Sequence, residues 1–356
     1  MSTPRKRHVL IIGAGVTGLQ TALALLDAGY TVHIMADHFH YDKNKPADYA
    51  SPRAGAHWRS HAAPTDTEQQ AWDKATYARW LAMLEDDGPA SGLGLVSSHF
   101  YTPSPSPPWY APHVQSFHLL PPRTTPDGQT LHGHAYTSVI LNVPVYLKAL
   151  DDRVTARGAR FMRGGTPGLG TVRAHFAALY GPNAPVLAAV VNATGIGARG
   201  FVPDHAVYPL RGQTVIVRGS AERITTVDTP GVLTDLLYIL PRPGAGVTVL
   251  GGTKGRDWDG SVDGETTREI LERAAEWAPE LGGVEGMEVL EVQVGLRPAR
   301  EGGARVEVEW LREDLVIHAY GHAGAGYQNS VGSADKVVRL LGEALEKMER
   351  DRELDD

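Results

Sequence analysis

The feature that most constrains this chain is the turn Gly13-Ala14-Gly15-Val16-Thr17-Gly18, set between an apolar run and a helix-forming stretch. His8–Ile12 reads as a buried strand, and Leu19–Leu26 as a helix closed at Ala28-Gly29. Tyr30–Met35 reads as a second strand leading to Asp37. A lone G-x-G-x-x-G is weak. Inside a strand–turn–helix–strand unit with an acid about 20 residues on, it marks a dinucleotide-binding βαβ unit. Gly13 permits the tight turn, Gly15 removes a Cβ where a pyrophosphate approaches, and Gly18 lets helix and strand pack closely. The helix start offers unpaired N–H groups and partial positive charge to phosphates. Asp37 offers a carboxylate to a ribose hydroxyl. The competing reading is a structural glycine turn in an ordinary α/β protein, which the full context disfavours. The motif does not separate NAD from FAD.

At 356 residues the chain has room for two domains. A hydrophobic content of 42% with 21% charged residues is that of a soluble globular protein, and the net charge of −7 points to neither nucleic acid nor membrane. The absence of cysteine excludes disulfides, thiolate catalysis and cysteine-ligated metals, and suits an enzyme that makes peroxide. Arg5-Lys6-Arg7 before an apolar run imitates a signal peptide. Glycines interrupt that run, however, and it is needed as the first strand. No apolar run is long enough to span a membrane.

Farther along, Thr67–Asp87 reads as an amphipathic helix with Trp72, Tyr77, Trp80, Leu81 and Leu84 on one face. Thr102–Pro112 is a proline-rich loop, ordered because Trp109 and Tyr110 must pack somewhere. Val143–Arg157 reads as a helix. Pro185–Ala193 is a continuous apolar run, as in a parallel strand buried on both faces, and ends in Thr194-Gly195-Ile196-Gly197. Thr214–Arg218 is a strand, and Leu236–Arg242 and Val247–Gly252 form a hairpin about Pro243–Gly246. Thr266–Ala278 is a helix, Leu315–Ala319 a strand and Asn329–Arg350 a terminal helix. The expected fold is α/β: a Rossmann-like dinucleotide domain interrupted in sequence (1–60, 140–200 and 290–350) plus a largely antiparallel α+β substrate domain (61–139 and 200–290).

In order along the chain, HVLIIGAGVTGL, ADHF, YASPRAGAHW, VVNATGIGAR, YPLRGQTVIV, YILPRPG, GGTKGRDWD, VGLRPAR and HAYGHAGAGYQNSVG resemble the D-amino-acid oxidase and D-aspartate oxidase family. The resemblance implies FAD, with substrate held between the flavin and an antiparallel sheet. It implies oxidation of a D-amino acid to an imino acid, reoxidation of the flavin by dioxygen to give peroxide, and hydrolysis to a 2-oxo acid and ammonia. Direct hydride transfer from the substrate Cα to the flavin follows as the expected chemistry, with no general base. The implied cofactor contacts are Gly13, Ala14, Gly15, Val16, Thr17, Gly18, Asp37, His38, Ser51, Gly55, Ala56, Thr194, Gly195, Arg297, Gly324, Gly326, Tyr327 and Gln328. The implied partners are a small D-amino acid and dioxygen, with room for a homodimer. A peroxisomal location is also implied, although Arg352–Asp356 carries no Ser-Lys-Leu-type address; otherwise the cytoplasm is expected.

Several residues carry chemistry by themselves. Arg297 lies in the mainly apolar Gly295-Leu296-Arg297-Pro298, and its planar fork suits a carboxylate. The alternative is an ion pair with one of 41 acids. Arg300 competes for the role but has Glu301 beside it. The resemblance places the Tyr238 hydroxyl on the same carboxylate; the alternative is a core tyrosine. Three glycines within Gly321–Gly326 permit close backbone approach, and a helix start there would stabilise negative charge. By resemblance the Gly324 carbonyl accepts from the substrate amine, and Gln328 lies near flavin or substrate.

If the hairpin turns on Gly244-Ala245, Tyr238 pairs with Gly251 or Gly252, and only the second register brings Lys254 to its face. The D-aspartate oxidases carry an arginine at the Lys254 position. His57, Arg59 and His61 alternate in AGAHWRSHA and would add to a cationic pocket. The alternatives are that Lys254 reaches to solvent and that Arg59 pairs with a surface acid. The expected preference is for D-aspartate or D-glutamate. The pairs His38/His40 and His132/His134 lack ligand spacing to a third group, so no metal is expected. Rival functions are oxidation of neutral D-amino acids, of glycine or sarcosine, an NAD-dependent dehydrogenase, and non-catalytic dinucleotide binding.

Overall fold

A computed structural model describes residues 7–125, 128–165, 168–229, 236–311 and 314–355. The first third contains strand β1 (His8–Ile12), helix α1 (Val16–Asp27), β2 (Thr31–Ala36), α2 (Thr67–Asp87), β3 (Leu93–Thr102) and β4 (Gln115–Thr124). The middle contains β5 (Thr130–Leu141), α3 (Val143–Ala156), β6 (Arg160–Arg163), α4 (Val172–Tyr180), β7 (Leu187–Asn192), α5 (Ala198–Phe201), β8 (Val207–Arg218) and β9 (Ile224–Asp228). The last third contains β10 (Leu236–Arg242), β11 (Val247–Gly251), α6 (Gly264–Trp277), α7 (Gly283–Gly286), β12 (Val289–Arg300), β13 (Arg305–Leu311), β14 (Asp314–Tyr320) and α8 (Ser330–Asp355). The chain divides into two compact units. One holds Met1–Pro52, Leu147–Tyr208 and Arg297–Asp356; the other holds Arg53–Tyr146 and Pro209–Leu296.

The first unit is built on a sheet in the order β13-β14-β7-β1-β2-β6, parallel from β14 to β6 with β13 antiparallel at one edge. β7 runs in the centre, paired with β1 and β14. That explains its unbroken apolar sequence, since a parallel strand covered on both faces has no solvent side. Leu10, Ile12, Val190 and Val316 meet Val172, Phe176 and Phe201 on one face. α1 and α8 pack together and against the sheet.

The second unit is built on an eight-stranded sheet in the order β12-β8-β11-β10-β9-β3-β5-β4. From β8 to β4 its pairs are antiparallel except β3 with β9, which is parallel. Ile270, Ala274 and Trp277 of α6 cover one face, meeting Tyr101, Val215, Val227, Leu237, Ile239 and Leu250. By the two-residue alternation of a strand, the neighbours of these residues point to the opposite face. There Ile140, Ile216, Ile224, Leu240 and Val249 form a smaller cluster with Tyr238 against it.

The hairpin turns on Gly244-Ala245, because Arg242 pairs with Val247 and Tyr238 with Gly251. This is the first of the two expected registers. β11 ends at Gly251, and Lys254 lies beyond it, exposed. The same-face argument for Lys254 therefore fails. Helix α2 occupies the expected span, but Met83 is buried where Leu81 and Leu84 are only partly so. Its buried face also includes Asp73 and Thr76.

Candidate active site

In the first unit the glycine turn is built as the spacing requires. Gly13 has φ +111°, and a Cβ there would lie 2.3 Å from the Ala193 carbonyl oxygen. A Cβ on Gly18 would lie 2.0 Å from the Gly13 oxygen, so only glycine lets α1 start against β1. A Cβ on Gly15 would reach 2.9 Å from Ser51 Oγ. That oxygen accepts from the Val16 amide at 3.0 Å. Ser51 thus takes up one free amide of the helix start and keeps its hydroxyl proton for another acceptor. Tyr327 donates to the Ser51 carbonyl at 2.8 Å, and Tyr49 donates to the Ala14 carbonyl at 2.8 Å. Tyr49, whose phenol burial holds well above its ordinary value, was not singled out in the sequence.

Asp37 follows β2 at the surface. Its carboxylate lies over Gly165, where a Cβ would come within 2.9 Å of Oδ1. Arg163 donates to the Asp37 carbonyl at 2.8 Å and grips Asp42 with both Nη atoms at 3.0 and 2.7 Å. Those bonds hold the Asp42 carboxyl well below the usual carboxylate range. The Asp37 carboxylate has no hydrogen bond or ion pair among the described residues, which fits a group awaiting a ribose. His38 stacks on Tyr49 with ring centroids 6.2 Å apart. Thr194 donates from both amide and hydroxyl to Asn192 Oδ1 at 3.2 and 2.8 Å, setting the turn at Gly195.

At the C-terminal end of β12, Arg297 is half-buried, and a Cβ on Gly324 would lie 3.7 Å from its Cδ. The fold therefore brings Arg297 and Gly324 together. Ala299 bridges His322, which docks the Gly321–Gly326 turn on this strand. Burial pushes His322 down to about 4. Gln328 Nε2 and Ser330 Oγ, at the start of α8, are buried without a hydrogen-bond partner among the described residues. Such orphans fit a polar cofactor edge. Arg300 differs from the expectation. Its Nε donates 2.8 Å to Asp204, and Glu301 supplies only its backbone carbonyl, at 3.2 Å.

In the second unit one row crosses the sheet face away from α6. His134 pairs with Phe100, Phe100 with Thr226, Thr226 with Tyr238, Tyr238 with Gly251, and Gly251 with Thr214. The Tyr238 ring lies across β11: a Cβ on Gly251 would fall 2.2 Å from Tyr238 Cζ, and one on Gly252 2.7 Å from its hydroxyl. The two glycines are there to let this ring lie flat. The row thus carries two buried hydroxyls, those of Thr214 and Thr226, without a partner among the described residues.

Residues 56–58 extend the sheet beside the end of β5. The Trp58 amide donates to the Val139 carbonyl at 2.7 Å, the Leu141 amide to Ala56 at 3.1 Å, and His57 faces Ile140. Gly55 and Ala56, read as cofactor contacts, fall in this second unit. A Cβ on Gly55 would meet Leu240 at 2.5 Å. His57 supplies no positive charge. Burial, with the Arg59 charge beside it, pushes its pKa down to about 3. Among the described residues no three metal-ligating side chains come together. His40 instead meets Asp151 at 3.0 Å, and His134 meets the Tyr110 hydroxyl at 3.1 Å.

The family model described as FAD dependent oxidoreductase matches residues 8–340. The chain belongs to that family. It is 33% identical to a D-amino-acid oxidase of Schizosaccharomyces pombe, covering 95% of this chain and 97% of the relative. It is 31% identical to a D-aspartate oxidase of Cryptococcus neoformans, covering 97% and 99%. The fold is that of a glycine oxidase from Bacillus cereus, with TM-score 0.67 at 19% identity and 95% and 96% coverage. It is equally that of an L-proline dehydrogenase from P. horikoshii, with TM-score 0.70 at 14% identity and 96% and 95% coverage. The cofactor of the family is FAD, and the glycine turn, Ser51, Asp37 and the orphan Gln328 amide are the features of this chain that fit it.

Proposed function

We propose that this FAD-dependent oxidoreductase oxidises D-amino acids, with acidic D-amino acids preferred. A D-amino acid, dioxygen and water give a 2-oxo acid, ammonia and hydrogen peroxide. The carrying observation is the pairing of Arg297 with the bare turn at Gly324. It supplies a guanidinium fork for an α-carboxylate and a backbone carbonyl for an α-amine, on one side of the first unit. Bound FAD supplies the hydride acceptor and its reoxidation by dioxygen. The chain's residues position rather than react. Arg297 holds the carboxylate, and the Gly324 carbonyl accepts a hydrogen bond from the amine. The helix starts at Val16 and Ser330 favour negative charge on the cofactor.

The acidic preference is supported by the buried basic group of the second unit, Arg59, and by a relative named for D-aspartate. His57 lines the same region as a neutral neighbour. A peroxide assay with D-aspartate, D-glutamate, D-alanine, D-phenylalanine and glycine tests the reading. Turnover of the two acids above the neutral three supports it. Turnover of glycine alone would replace it with a glycine or sarcosine oxidase.

A further inference from the structure

Within the second unit, Arg59 is 9% exposed, yet its Nε is buried without a hydrogen-bond partner, and no carboxylate pairs with it among the described residues. Its polar contact is Nη2 to His61 Nε2 at 3.4 Å, and its guanidinium stands 5.1 Å from the Phe100 ring centroid. Buried charges are paired almost without exception, because an unpaired one costs several kcal/mol of desolvation. The neighbours that feel its charge are His57, His134, Tyr110 and Tyr136. All four are neutral near pH 7. Burial pushes His57 down to about 3 and His134 to about 4, and pushes Tyr110 well up and Tyr136 to about 12. Among the described residues no acid answers the guanidinium.

The backbone on either side of Arg59 is fixed. Trp58 donates from Nε1 to the Asp73 carbonyl at 2.8 Å, and its own carbonyl accepts from Tyr136 and Ser138 at 3.1 and 2.6 Å. Ser60 donates to Asp73 Oδ2 at 2.5 Å and accepts from Trp109 Nε1 at 3.0 Å. A long side chain held this way loses little further freedom on meeting a ligand. Its ring partner, Phe100, belongs to the row that continues through the unsatisfied Thr226 to Tyr238. Lys254 differs on each count. It is exposed beyond the end of β11, where an ion pair is worth about 1 kcal/mol or less.

We propose that Arg59 is the specificity residue for an acidic side chain, the group that takes the second carboxylate of a dicarboxylic ligand. The inference rests on the D-amino-acid oxidase reading and names the residue responsible for its substrate class.

The test compares the FAD-loaded wild type with Arg59→Gln, Arg59→Lys and Lys254→Met. The first readout is the ratio of kcat/KM for D-aspartate to that for D-asparagine, which has the same shape without the charge. Arg59→Gln should lower the ratio about 100-fold, Arg59→Lys by less, and Lys254→Met by about threefold or less, as expected for a buried against an exposed charge. The second readout is thermal stabilisation by malonate, with acetate as the monocarboxylate control. Arg59→Gln should abolish the excess stabilisation by malonate. Arg59→Lys, which keeps the charge and therefore the fold, should retain part of it. An unchanged ratio, or malonate stabilisation equal in wild type and Arg59→Gln, would overturn the proposal. Should the wild type oxidise no D-amino acid, the oxidase reading fails alone, and the malonate comparison still decides whether Arg59 is a carboxylate site.

Discussion

Arg297 and Gly324 are far apart in sequence and adjacent in the first unit. Both were legible from their motifs: an arginine in an apolar setting, and three glycines before a helix. Arg297→Ala should raise KM for a D-amino acid about 100-fold, since it strips the carboxylate of a charged partner. Steady-state kinetics with D-aspartate check this; a change confined to kcat would contradict it. Tyr238 was legible only through resemblance, because a strand tyrosine is usually core. The function of Gly251 and Gly252 was not legible, because the reason for them is the ring of a residue on the neighbouring strand. Gly251→Ala should push that ring aside, costing about 1–3 kcal/mol of stability and about 10-fold in kcat/KM. Wild-type kinetics in that variant would show the flat ring to be dispensable. Arg59 was read in the sequence as one of an alternating cationic set. Sequence alternation could not reveal that burial holds His57 neutral or that Arg59 pairs with no acid among the described residues.

At the scale of elements, what repeats locally was readable and what depends on a distant partner was not. The βαβ start, α2, the central β7 and the hairpin β10–β11 followed from periodicity and turn residues. β4 did not, because Pro121 and Pro122 lie inside it. It survives as the edge strand of its sheet, with a register shift between Leu120 and Arg123. Prolines are tolerated there because a missing donor faces no neighbour. Lys254 was misplaced because a one-residue choice of register decides its face. The buried Asp73 on α2 breaks the apolar pattern for a reason found in another element: its carboxylate accepts from the Ser60 hydroxyl. Asp73→Ala should destabilise the second unit by about 1–3 kcal/mol, as leaving a buried hydrogen-bond partner unsatisfied does. It should also speed hydrogen exchange at the Trp58 amide. Unchanged exchange there would mean that β5 alone fixes the segment.

For the whole molecule, four histidines set the acid limit of stability. Burial lowers His33, His134 and His322 to about 4 and His57 to about 3, all from an ordinary 6.5. The folded state therefore resists protonation that the unfolded state accepts. Their stabilising contribution is complete above about 6.5 and is lost as pH falls from there towards 4. Urea midpoints should hold from pH 8 to 7 and drop steadily from pH 6.5 to 4. Below that range Asp42 loses its Arg163 partner, because its carboxyl is held down by those hydrogen bonds. A flat profile from pH 6.5 to 4 would mean that these rings gain water in the native state. The FAD-binding βαβ start was readable because a glycine turn and its acid are local signals. Substrate preference was not, because the proposed determinant, Arg59, is marked by burial without an acid among the described residues, which only the fold shows. Anaerobic mixing of the FAD-loaded protein with single amino acids tests the central claim most directly, read as loss of the flavin's visible absorbance. D-Aspartate should bleach it faster than D-alanine, with L-aspartate leaving it oxidised. Bleaching by glycine or L-aspartate but not by D-aspartate would contradict the account.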